Sequence, residues 1–146
     1  MTATAERTTE RTYRRGLNPL HSLLLGGTFP LFLGAALSDY AYSQTYLIQW
    51  STFASWLIAG GLVFNGLALL CALIGVFRAS DRRRLALVYF FLLLITWILG
   101  FFNALVHARD AWGMMPTGFV LSIVVSVLAC VATWIGFSRL GAGGHS

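Results

Sequence analysis

The chain has 146 residues, of which 58% are hydrophobic and 10% charged, and its mean hydropathy is +0.75. A water-soluble domain of this length cannot bury so much apolar surface, so the composition indicates an integral membrane protein. The formal net charge of +5 comes from ten arginines, with no lysine. Nine of these arginines flank apolar runs and no groove-reading element accompanies them, which argues against a nucleic-acid-binding protein.

Four apolar runs contain no Lys, Arg, Asp or Glu: residues 20–37, 53–77, 85–106 and 117–137. Each is close to the roughly 20 residues that a helix needs to cross a hydrocarbon core. Backbone groups in lipid must be bonded internally, so each run is predicted to be a helix. The sequence therefore predicts an all-α fold, an integral membrane four-helix bundle occupying residues 17–140.

The arginines predict the orientation of this bundle. Nine lie at the two chain ends or in the middle loop: Arg7, Arg11, Arg14, Arg15, Arg78, Arg82, Arg83, Arg84 and Arg139. The two opposite loops contain only Arg109. By the positive-inside rule both termini are predicted to be cytoplasmic, in a multi-pass protein of the bacterial inner (plasma) membrane. Residues 1–16 and 141–146 are predicted to be flexible cytoplasmic tails.

Aromatic residues predict the outer interface: Tyr40, Tyr42, Tyr46, Trp50, Trp56 and Trp112 form a plausible belt there. The alternative reading of the first run is a signal peptide with Ala36-Leu37-Ser38 near the cleavage site. The run is longer than a typical signal sequence and contains Pro30, so a retained first helix is the favoured interpretation.

Small residues at four-residue spacing predict how the helices pack. Thr96, Gly100 and Ala104 form one such stripe, and Gly118, Ser122, Ser126 and Cys130 form another. Such stripes let helices approach closely in lipid, so we expect the third and fourth helices to pack against each other. A homo-oligomer interface is the alternative. Asn65, near the middle of the second helix, is predicted to be an interhelical polar contact.

The polar residues at the outer end of the third helix form the main candidate site. Asn103, His107 and Asp110 are spaced to share one helix face, with Arg109 and Trp112 beside them and Asp39 near enough to join. A carboxylate can fix the tautomer of His107 for proton exchange or ligand contact. The predicted role is a ligand or partner contact; the alternative is an interfacial cap facing lipid headgroups.

His107 and His21 are the candidate cofactor-binding residues, but they fall at opposite ends of the bundle. A haem b clamped by two histidines needs both at one depth, so one subunit cannot hold it with this pair. Haem binding would require a second subunit or copy. Cys71 and Cys130 lie in apolar runs, and no metal site is predicted.

The stretch Asn18-Pro19-Leu20-His21, followed by Phe29-Pro30, resembles the opening of a bacterial four-helix membrane family designated domain of unknown function 2231. The third-helix ending, residues 107–112, looks like that of a subgroup. The resemblance implies the four-helix layout over nearly the whole chain but no activity. Asn18 and Thr28 stand where the family often has His. If those histidines hold a cofactor elsewhere in the family, the resemblance implies that this chain has lost that site.

Nucleophile-elbow, zinc-protease, phosphate-loop and Cys-x-x-Cys motifs are all missing, which favours a non-enzymatic protein. The predicted function is an accessory or anchoring subunit of a membrane complex. Its predicted partners are the lipid bilayer with other membrane subunits or further copies of the chain. The first alternative is a membrane redox subunit using haem b or quinone with an outer-face dehydrogenase. The second is a small oligomeric transporter.

Overall fold

The computed structural model describes residues 19–79, 83–109 and 111–141, except for the side chains of 139–141. The described residues form five helices and no strand: α1 (Pro19–Thr45), α2 (Ile48–Arg78), α3 (Arg83–His107), α4 (Ala111–Met114) and α5 (Thr117–Gly141). The four longer helices are long and apolar enough to cross a membrane. The all-α, four-helix prediction is confirmed.

The first helix is longer than the apolar run predicted. It passes through Pro30 and continues to Thr45, whereas the predicted span ended at Leu37. The prediction stopped there because Asp39 interrupts the charge-free run, but Asp39 is fully buried inside the bundle. The second helix also begins earlier than residue 53, at Ile48, and α4 was not predicted.

The long helices are neighbours in the order α1, α2, α3, α5 around the bundle, so α1 and α3 face each other diagonally. Three layers of buried apolar residues fill the interior. One layer contains Leu25 and Leu93, the next Phe32 and Val125, and the third Tyr42 and Met114. The third layer lies at the end of the bundle predicted to face outward, which is called the outer end below.

The predicted small-residue stripes are only partly buried against neighbours. Gly100 is buried, but a methyl group there would lie 3.1 Å from Leu62 Cδ2 and 3.3 Å from Phe32 Cζ, so Gly100 faces α2 and α1. Cys130 is exposed on the surface of α5. The helices that carry the two stripes, α3 and α5, pack against each other as expected, and each also packs against a second neighbour.

The predicted aromatic belt is also incomplete. Tyr40, Tyr46, Trp56 and Trp112 are exposed at the outer end, but Tyr42 is buried in the third layer. The side chains of Tyr46 and Trp112 stack with ring centroids 6.1 Å apart. Residues 1–16 and 142–146 of the predicted tails lie outside the described residues.

Candidate functional site

A buried pair of hydrogen-bonded side chains, a histidine and an aspartate, connects the two diagonal helices at the outer end of the bundle. His107 Nε2 lies 2.8 Å from Asp39 Oδ1, and the two side chains are 1% and 0% exposed. The residues are 68 positions apart in the chain, on α1 and α3. Two ionisable groups in an apolar interior are stable only when they are bonded to each other and to further polar groups.

The contact of the second ring nitrogen, Nδ1, shows which nitrogen of the His107 ring carries a hydrogen. Nδ1 lies 2.9 Å from the carbonyl oxygen of Asn103, one helical turn back. A carbonyl oxygen only accepts, so Nδ1 carries a hydrogen and donates it. The contact between Nε2 and Asp39 Oδ1 then requires one hydrogen, carried by one of these two atoms. Both ring nitrogens are thus engaged inside the protein.

The pair is extended to α5 by a hydroxyl. Ser122 Oγ donates a 2.5 Å hydrogen bond to Asp39 Oδ2, and Asn103 Nδ2 donates a 2.8 Å bond to Ser122 Oγ. The four side chains therefore form one chain of bonds across α1, α3 and α5, which we call the outer network. Within the described part of the protein, Asn103 Oδ1 is buried without a hydrogen-bond partner.

The outer network holds no activated nucleophile. Ser122 Oγ and His107 Nε2 both bind Asp39, on different oxygens, and not each other. An imidazole that activates a hydroxyl must bond to that hydroxyl directly. Ser122 is therefore positioned as a donor to the carboxylate.

Of the predicted contact residues, the structure brings Asn103, His107 and Asp39 together in the outer network. Arg109 and Trp112 lie outside it and are exposed, with Trp112 78% accessible. Asp110 lies outside the described residues. The predicted grouping of His107 with an acid is present, with Asp39 as the acid.

Ser122 is the member of this network that sequence reasoning did not assign to the site. Its four-residue spacing from Gly118 and Ser126 predicts a packing stripe, since small residues at this spacing are a usual packing signal in membrane helices. The presence of Asp39 near the apolar run of the first helix is a sequence signal that could have indicated a polar role for Ser122. An Asp inside a membrane bundle needs more than one donor, and hydroxyls on the facing helices are the available ones.

His21 occupies the opposite end of the bundle. Its Nε2 lies 3.0 Å from Tyr89 Oη on α3, and its Nδ1 is buried without a partner among the described residues. Asp39, the partner of His107, is eighteen residues further along α1, which corresponds to about 27 Å of helix. His21 and His107 of one chain are too far apart to bind one haem iron.

Two interhelical bonds in the middle of the bundle connect α2 and α3. Asn65 Nδ2 donates to the Leu93 carbonyl at 3.3 Å, and Trp97 Nε1 donates to the Leu62 carbonyl at 3.2 Å. Asn65 is fully buried, and its Oδ1 has no partner among the described residues. The described residues contain no group of three or more His, Cys, Asp or Glu side chains placed to hold a metal ion.

The family model of predicted membrane proteins called DUF2231 matches residues 17–140, which covers the four long helices except for the last residue of α5. The chain belongs to this family. No curated protein matches the chain, and no solved structure matches it. Membership in DUF2231 accounts for the membrane fold, and the description of the family contains no activity.

Proposed function

We propose that this DUF2231 protein is a non-enzymatic accessory or anchoring subunit of a membrane complex in a bacterial inner membrane. The observation that carries the proposal is the exposed stacked pair Tyr46 and Trp112, which lies at the bundle end that contains the outer network. Exposed aromatic side chains on a rigid scaffold are typical anchors in protein interfaces. The outer network supplies the rigidity by connecting three helices beneath that surface.

The same aromatic residues also suit the membrane interface, so the test must separate a partner from lipid. Trp112→Ala removes the stacked surface without touching a buried residue. Trp134→Ala is the matched control, because Trp134 is equally exposed, at 75%, on α5 towards the other end of the bundle. Complexes are extracted from native membranes in mild detergent, separated on native gels and identified by mass spectrometry.

We expect the chain to migrate in a larger complex, and Trp112→Ala to dissociate it while Trp134→Ala leaves it intact. Equal behaviour of the two variants would assign the Trp112 surface to lipid. Migration of the unchanged protein as a single chain would contradict the proposal altogether.

The geometry of His107 bears on the redox alternative. Axial ligation through Nε2 would first have to break the bond to Asp39, and ligation through Nδ1 the bond to the Asn103 carbonyl. A second arm of the experiment therefore records the absorption spectrum of the purified complex. A Soret band that disappears in His107→Ala would replace the accessory function with the redox one.

A further inference from the structure

An open pocket of about 430 Å³ lies at the outer end, between the first turns of α2 and the junction of α3 with α4. His107 contributes to its wall, although the outer network has already engaged both ring nitrogens. The pocket is thus a separate feature beside the network. Its polar lining comes from Arg109 and from hydroxyls at the start of α2.

The electrostatics of this pocket favour an anion. Arg109 is exposed, and within the described residues it forms no ion pair. Asp39, the described acid at this end of the bundle, is bonded to His107 and Ser122. The first turn of α2 adds partial positive charge, because its N-cap residue Leu47 makes no side-chain hydrogen bond to the free N–H groups.

A donor for such an anion is already present in the pocket wall. Ser51 Oγ donates to Met114 Sδ at 3.6 Å, and a thioether sulfur is a weak acceptor. An anionic oxygen is a stronger acceptor, so the Ser51 hydroxyl can donate its hydrogen bond to the anion instead, and losing the bond to sulfur costs little. The hydroxyls of Thr52 and Ser55 donate to backbone carbonyls within α2.

The lower part of the pocket is apolar. Trp56 and Ala59 line it, and Ala59 lies eleven residues beyond Ile48, about 16 Å along the helix axis. The pocket therefore begins among charged and hydroxyl groups and continues along a helix face exposed to the hydrocarbon. A small inorganic anion would occupy only the upper part, whereas an amphiphile matches both.

We propose that this pocket binds the headgroup of an anionic phospholipid, with its phosphate between Arg109 and Ser51 and an acyl chain along Trp56 and Ala59. The proposal does not depend on the accessory function, because it concerns Arg109 and the α2 groove and leaves Trp112 unused. It assigns to the chain a specific lipid site in addition to its general contact with the bilayer.

The experiment measures lipid retained on the full chain in detergent by native mass spectrometry. The probes are phosphatidylglycerol and phosphatidylcholine with identical acyl chains, so the two lipids differ only in the headgroup, which has a net negative charge in phosphatidylglycerol and no net charge in phosphatidylcholine. We expect phosphatidylglycerol to be retained preferentially by the unchanged protein and Arg109→Gln to weaken that retention about fivefold. Arg78→Gln is the matched control, an exposed arginine at the end of α2 remote from the pocket.

Two further arms identify the source of the phosphate. Ala59→Phe fills the lower groove without changing charge, and it is expected to weaken phosphatidylglycerol retention as well. Inorganic phosphate at the same concentration is expected not to be retained. The proposal would be overturned if the unchanged protein retained the two lipids equally, or if either Arg109→Gln or Ala59→Phe left phosphatidylglycerol retention unchanged. It would also be overturned if inorganic phosphate were retained as well as phosphatidylglycerol.

Discussion

Asp39 Oδ1 and His107 Nε2 lie 2.8 Å apart, although their helices, α1 and α3, are diagonal members of the bundle. The bond therefore crosses the interior, where lipid and water are both excluded. Ser122 joins the same carboxylate from α5. The outer network therefore connects α1, α3 and α5 through buried hydrogen bonds, and removing one of them should destabilise the bundle.

Asp39→Asn is expected to lower the free energy of unfolding by about 3 kcal/mol, because it leaves His107 and Ser122 competing for one acceptor oxygen in a buried site. The measurement is reversible unfolding in mixed micelles. His107→Gln and the double variant complete a double-mutant cycle. The double variant should lose little more stability than either single variant, since both remove the same interaction. Strictly additive losses would show that the pair does not interact in the folded protein.

Ser122→Ala is expected to cost about 1 to 2 kcal/mol of unfolding free energy, because Asp39 loses a donor and Asn103 loses an acceptor in the interior. Ser126→Ala is the matched control, one turn along the same helix. Ser126 is also buried, but no hydrogen bond of its side chain occurs within the described part of the chain. Equal stability of the two variants would show that the Ser122 hydroxyl acts only as a small packing group.

Gly61→Ala is expected to destabilise the bundle by about 1 to 3 kcal/mol, because the added methyl would lie 2.8 Å from Phe32 Cε1. Phe32 is fully buried in the second apolar layer. Gly75→Ala in the same helix is the control. Among the described residues, no atom beyond the adjoining backbone of α2 lies within 4 Å of its added methyl, so it should be neutral or stabilising by up to about 1 kcal/mol. Thermal unfolding in detergent compares the two; a tolerated Gly61→Ala would place Phe32 elsewhere.

The predicted orientation is tested by labelling single cysteines with a membrane-impermeant maleimide. Cys71 and Cys130 are replaced by Ala, and either Gln44→Cys or Ala79→Cys is introduced at opposite ends of the bundle. In intact cells we expect Gln44→Cys to be labelled and Ala79→Cys to be labelled only after lysis, because the positive-inside rule predicts that the end with nine arginines faces the cytoplasm. The reverse labelling pattern would show that the bundle has the opposite orientation. The Arg109 pocket would then face the other leaflet of the membrane.

Much of the architecture could be predicted from the sequence because lipid offers no hydrogen bonds to backbone N–H and C=O groups. A run such as residues 85–106 has no alternative to a helix, and α3 covers it as Arg83–His107. The apolar run ends at Leu37, whereas α1 continues to Thr45. Hydropathy places a boundary at a charged residue such as Asp39, because it contains no information about whether that residue is hydrogen-bonded inside the bundle. The same limit of hydropathy explains why the sequence does not assign Ser122 to the outer network.

The sequence by itself determined that this protein has four membrane-length helices, and its candidate polar contacts included Asn103, His107 and Asp39 together with Arg109 and Asp110. Helical periodicity and solvent exclusion act locally, so they are readable along the chain. Only the tertiary structure decided that Asp39 crosses the bundle to His107, that Ser122 completes the network, and that Arg109 remains outside it. Those outcomes depend on which helices are diagonal and on the rotation of each about its axis, and both are set by side-chain packing between segments distant in the chain.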